Sequence, residues 1–145
     1  MTLPVTWRPR RSRRMAAVLA SVVMITMVVL AVAVAPPFKI VDRAGLVLFG
    51  AAVAGLLYLL GRSRITADAT GLTVVNPVRT RRFTWAEVLG VTMGEAEPWP
   101  TLDLADGSTV SAMGIQRSDG DRARQALAEL RALLHERGEA AEPRK

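Results

Sequence analysis

The chain contains no cysteine, so it has neither a disulfide framework nor a thiolate metal site. Its only histidine is His135, which removes any multi-histidine metal set. Lysine is nearly absent: Lys39 and Lys145 are the only two, and no glycine-rich phosphate loop carries one. Aromatic residues make up only 5% of the chain although 50% is hydrophobic. Aliphatic segments poor in aromatics suit lipid better than a large globular core. No His/Asp/Glu cluster has metal spacing, and Ser63, Ser108, Ser111 and Ser118 have no base in an identifiable motif. The expectation is a protein without catalytic residues, cofactor or metal.

The net charge of +6 is confined to one region. Residues 1–61 hold seven basic side chains and one acid, whereas residues 62–145 hold twelve of each. A nucleic-acid-binding domain carries its own positive excess to neutralise phosphates. The C-terminal part has none, so nucleic acid is excluded as a partner.

Two uncharged runs stand out. Residues 15–35 and 44–61 span 21 and 18 positions. At about 1.5 Å per residue they reach, or nearly reach, across a hydrocarbon core of roughly 30 Å. Neither shows a helical alternation of apolar and polar residues, and helices apolar all round belong in a core or in lipid. The 84 residues that follow the second run are too few to bury both. A signal peptide is the rival for the first run. The run exceeds the usual 7–15 residues of such a core, and Pro36 and Pro37 follow it directly. An uncleaved helix is therefore expected.

Arg8, Arg10, Arg11, Arg13 and Arg14 precede the first run, and Arg62 and Arg64 follow the second. These seven form a basic membrane-interface set. The loop 36–43 has only Lys39 and Arg43, beside Asp42. The positive-inside rule then puts both termini in the cytoplasm, at the inner face of the plasma membrane. The expected organisation is a basic segment 1–14, helix 15–35, external loop 36–43, helix 44–61, cytoplasmic domain 62–137 and flexible tail 138–145. Trp7 fits an interfacial belt position or a tail. Small residues four apart, such as Gly50/Ala54 and Ala51/Gly55, permit close helix packing, within the hairpin or in a homo-oligomer.

From residue 64 the period changes to two. Strands are expected at 65–68, 72–75, 81–85, 88–93, 101–104 and 109–113, about six in all. Asp106-Gly107 is the strongest hairpin signal and predicts positive φ at both residues. A helix follows, capped by Ser118 with Asp121 three residues on, and ended by Gly138. Ala123, Leu127, Leu130 and Leu134 line one face of it. The fold class is α+β: a two-helix transmembrane hairpin, then a small antiparallel sheet domain closed by one helix.

The quoted motifs are "RITADATGLTVVNPVRTRRFTWAEVLGV", the "LADGS" hairpin and "GIQRSDGDRARQALAELRALL". With the two spans, they resemble small actinobacterial membrane proteins carrying a bacterial pleckstrin-homology (PH) domain, of the low-molecular-weight protein antigen 6 type. The resemblance implies a PH-like, partly open barrel capped by a helix. A full PH barrel has seven strands and six are read here, so the seventh is short, missing or hidden near "EAEPWP" (95–100). The resemblance brings no catalytic residues.

Arg79, Arg81 and Arg82 cluster at one expected hairpin. Guanidinium forks suit phosphates, and anionic lipid attracts them near a membrane surface. The competing reading is a solvated tip, with Arg82 paired to Glu87 or Asp103. Function at this stage is a non-catalytic scaffold or adaptor that presents the domain to protein partners at the membrane. The alternative is a sensor of anionic lipid through the three arginines.

Overall fold

The computed structural model describes residues 2–139. The described residues divide into two units: residues 12–62, and a second formed by residues 2–11 together with 63–139.

The first unit is a helical hairpin. Helix α1 (Arg10–Ala33) begins upstream of the apolar run and takes four arginines into its first turns; α2 (Ile40–Gly61) follows the short proline-containing loop. Both are long and apolar enough to cross a membrane, and only 6% of each apolar window is buried. Neither is therefore the core helix of a globular domain. The Asp42 carboxylate accepts the Lys39 N–H at 2.8 Å and closes the start of α2. The Arg43 guanidinium donates to the Val34 carbonyl at 3.0 Å, tying the loop back to the first helix. Of the small residues, Gly50 packs within the hairpin, where a Cβ would lie 3.0 Å from the Met27 side chain. Ala51 and Gly55 stay exposed.

The second unit holds two antiparallel sheets and a helix. One sheet has the order β1-β2-β3-β4, with β1 Val5–Trp7, β2 Arg64–Ala67, β3 Gly71–Val75 and β4 Thr80–Thr84. The other has the order β5-β6-β7, with β5 Val88–Thr92, β6 Thr101–Leu104 and β7 Thr109–Ser111. The sheets are not joined into a closed barrel by any ladder among the described residues. A 3-10 turn, Trp85–Glu87, links them, and α3 (Asp121–Glu139) closes the unit. The core combines Ile65, Leu72, Val74, Leu102 and Val110 from the strands with Ala123, Leu130, Leu133 and Leu134 from α3. Trp85 is buried, and its indole N–H donates to the Asp68 carbonyl at 3.2 Å.

Four expectations are corrected. First, the seventh strand comes from the N-terminal segment. Val5–Trp7 pairs with β2, placing Thr6 opposite Thr66 and Trp7 opposite Ile65. Residues 95–100 form no strand; they are held by the Arg117 side chain, which donates to the Glu97 and Gly94 carbonyls. Second, Trp7 is a core residue only 7% exposed, and its indole N–H donates to Glu129 at 2.9 Å. It is neither belt nor tail. Third, Asp106-Gly107 does turn the chain, but positive φ occurs at Gly107 (80°) and not at Asp106. The Gly107 N–H bonds the Leu104 carbonyl and the Leu104 N–H bonds that of Ser108. That is a three-residue loop with a glycine bulge. The Asp106 carboxylate accepts both the N–H and hydroxyl of Ser108, which selects this turn over the two-residue one.

Fourth, Ser118 does not cap α3. Residues 117–119 form a separate 3-10 turn, Gly120 follows with φ 61°, and the helix begins at Asp121. The neighbouring Asp119 carboxylate instead accepts the N–H groups of Arg10 and Arg11, at 2.8 and 2.9 Å. These are the free donors of a helix start, where a carboxylate is favoured. At its other end α3 runs through Gly138 to Glu139, because a helical glycine costs only about 1 kcal/mol. The rest of the expected tail, 140–145, lies outside the described residues.

Candidate functional site

Strand alternation distributes the three arginines. Arg79 and Arg81 are two residues apart and share the face of Phe83, while Arg82 points the other way. The register agrees: Arg81 lies opposite the buried Val74, and Arg82 opposite Thr73. Arg79 and Arg81 line a concavity of about 230 Å³ with Asn76, Thr109, Ser111 and Met113. Arg82 is on the outer surface of the sheet, which also carries Thr6, Thr66 and Thr73. The structure thus brings two of the three together and sets the third apart.

The walls of this concavity come from both sheets, and Asn76 fixes them. Its amide donates to the Ser111 carbonyl at 2.6 Å and accepts the Met113 N–H at 3.2 Å. The Asn76 N–H also closes the turn onto the Arg79 carbonyl at 2.9 Å. All three arginines are exposed, and among the described residues none has a side-chain hydrogen bond or ion pair. The expected partner Glu87 is occupied: its carboxylate accepts the N–H and hydroxyl of Thr84 at 2.6 and 2.8 Å.

Three carboxylates nearby are held below their usual range by local hydrogen bonds. For Asp68 the donors are the Thr70 hydroxyl and N–H and then the Gly71 N–H, with a smaller contribution from Arg82. For Glu87 the cause is Thr84, and for Asp106 it is Ser108, assisted by the positive charge of Arg81. These turns stay anionic at neutral pH.

A second feature had no sequence signal. Among the described residues, strand β5 has a ladder partner on one side only, and α3 lies along it. Between them runs a groove of about 610 Å³, lined by Trp85, Val88, Leu89, Val91, Leu134 and Arg131. Arg131 reaches across to the Val91 carbonyl at 3.3 Å, and Leu89 is 69% exposed. His135 also lines it, on the exposed face of α3 rather than in a metal set. No group of three or more His, Cys, Asp or Glu side chains suited to a metal occurs among the described residues.

Arg8, Arg10 and Arg11 belong to the same unit as the sheets, Arg13, Arg14 and Arg62 to the helical hairpin, and Arg64 opens β2. Arg10, Arg11, Arg13 and Arg14 thus fall within the first turns of α1, and Arg62 and Arg64 follow α2 in the chain.

Residues 62–133 match the profile of the bacterial PH domain family. That span begins after β1, so the N-terminal strand lies outside it. The chain is similar to uncharacterized proteins of Mycobacterium bovis and of two Mycobacterium tuberculosis strains, 35% identical over 97 residues. That alignment covers 67% of this chain and 63% of the length of each relative. No solved structure matches. The strand order, the closing helix and these matches agree: residues 62–133 are a bacterial PH domain, and the chain is a bacterial PH-domain protein of the actinobacterial kind.

Proposed function

We propose that the chain is a membrane-anchored adaptor. Its two helices hold the PH domain at the inner face of the plasma membrane, and the β5–α3 groove receives an extended segment of a protein partner. The observation that carries this reading is the side of β5 that has no strand partner among the described residues, beside a groove with an apolar floor. An added strand gains main-chain hydrogen bonds from such an edge and side-chain pockets from its flank. PH domains are in general interaction modules rather than enzymes, and the site chemistry supports a non-catalytic role.

Two observations support the anchoring. The helices expose their apolar surface, as at Met15 (72%) and Leu48 (70%). Moreover, β1 precedes the first helix and pairs with β2, which follows the second. The segments flanking the hairpin thus lie on one side of any membrane it crosses. A retained first helix fits this arrangement, since removing it would take β1 from the core. The arginine excess on that side supports the cytoplasmic orientation.

A photo-crosslinking residue at Leu89, in the full chain expressed in its membrane, tests the groove. A defined partner should be captured there and not from Val78, which is 87% exposed in the turn between β3 and β4 and does not line the groove. Capture should be lost when Arg131→Glu is added. Identical products from both positions, or none from Leu89, would remove the adaptor reading.

A further inference from the structure

We propose that the β5–α3 groove selects an acidic–apolar segment: an extended stretch of a protein partner whose Asp or Glu side chain draws the Arg131 guanidinium off the edge of β5. The inference rests on the adaptor reading above and names the chemistry of its partner.

Three observations converge. The first is charge. Among the described residues that line the groove, Arg131 alone carries a permanent charge, and none is acidic. Its Nε–H reaches the Val91 carbonyl at 3.3 Å, just beyond the usual range of about 2.7–3.2 Å. Its other guanidinium donors have no hydrogen-bond or ion-pair partner among the described residues. A carboxylate meets such a fork with two parallel bonds and an opposite charge, which one carbonyl cannot match.

The second is what Arg131 covers. Strand β6 flanks one side of β5, with Val91 opposite Leu102, and α3 lies along β5 as well. A Val91 carbonyl bonded from α3 is an acceptor that an added strand would need. The ladder is also irregular beside it: Val88 pairs with Leu104 and Gly90 with Asp103, which leaves Leu89 as a bulge residue with an exposed side chain. A bulge and a covering cation are two devices that keep a sheet edge from pairing with any passing strand. A neutral segment that displaced Arg131 would leave its guanidinium without a partner. A segment with a carboxylate supplies one, so the guard on the edge becomes the source of selectivity.

The third is spacing. Arg131, Leu134, His135 and Gly138 stand at i, i+3, i+4 and i+7, along one face of α3. Seven residues of helix cover about 10.5 Å, the length of about three residues of extended chain. Side chains of an added strand return to the same face at every second residue. A carboxylate at Arg131 therefore sits two positions from an aliphatic side chain that packs on Leu89 and Leu134, both of which line the groove.

The test uses the full chain in maltoside micelles. The probes are the blocked peptide Thr-Val-Thr-Glu-Thr-Val-Thr and its two counterparts with Gln or Lys in place of Glu. The Leu89 and Val91 amides and the Arg131 Nε–H are followed by NMR. The Glu peptide should shift all three saturably, with the Gln peptide about tenfold weaker or more and the Lys peptide weaker still. Arg131→Gln should bring the Glu and Gln peptides to within about twofold of each other, and Arg131→Glu should turn the preference toward Lys. Equal affinity of the unaltered chain for the Glu and Gln peptides would overturn the selection and leave the adaptor groove standing. A preference for Glu that survives in Arg131→Gln would do the same. A Leu89 shift on concentrating the chain without peptide would make a second copy the occupant and overturn the acidic partner. If no peptide moves the Leu89 amide, the inference is overturned, whereas the adaptor reading falls only if crosslinking from Leu89 also captures nothing.

Discussion

At the residue scale, close approach and alternation decide more than charge. Gly71 stands where β3 meets β4, and a Cβ there would lie 1.9 Å from the Phe83 carbonyl oxygen. No L side chain fits without separating the strands. Gly71→Ala should therefore cost at least about 2 kcal/mol, read as a lower denaturation midpoint of the full chain in detergent. Equal stability would mean that β4 is free to move away. The same alternation splits the arginines. Phe83 and Arg82 on opposite faces follow from period two in the sequence. That Arg81 shares the face of Phe83 also follows. What period two does not reveal is that this face ends in a concavity, because β7 forms its other wall and lies about thirty residues further on.

At the element scale, the N-terminal strand is the main departure from the sequence reading. Three residues, Val5–Trp7, are too few for alternation to register, and the arginine run after them reads as membrane flank. The strand gains its place from burial of the Trp7 ring beside α3 and from the indole bond to Glu129. Trp7→Ala should destabilise the PH-domain unit by about 3–5 kcal/mol, measured by chemical denaturation. Trp7→Phe, which keeps the ring and loses the hydrogen bond, should cost much less. A small and equal effect of both would return Trp7 to the role of a tail residue. It also follows that residues 62–145 alone leave the Ile65 edge of β2 uncovered, so a fragment cut there is a poorer test object than the whole chain. The closing helix was legible from its leucine spacing. Its start was not, because Asp119, next to the expected Ser118 cap, serves the backbone of Arg10 and Arg11 from a distant part of the chain.

At the scale of the whole molecule, the PH-domain unit is discontinuous: the hairpin is inserted between its first and second strands. The pairing of β1 with β2 then requires both flanks of the hairpin to share a compartment. Single cysteines at Thr2, Val41 and Ser108 are informative because the chain has no other thiol. An impermeant thiol reagent on intact cells should label position 41 and spare 2 and 108. Labelling of 2 without 108 would mean that the strand pairing does not form in the membrane. Labelling of 108 and 2 without 41 would invert the orientation and leave the pairing intact.

The sequence by itself determined the two apolar helices, the antiparallel strands, the closing helix and the absence of a positive excess in residues 62–145. Each of these depends on local composition or on a repeat of two, 3.6 or about twenty residues, which neighbouring positions display together. Only the tertiary structure decided the seventh strand, the burial of Trp7, the concavity that Arg79 and Arg81 line with β7, and the groove between β5 and α3. All four depend on contacts across 30 to more than 120 positions. No local pattern encodes such partners, because they are chosen by which surfaces the packed core leaves adjacent.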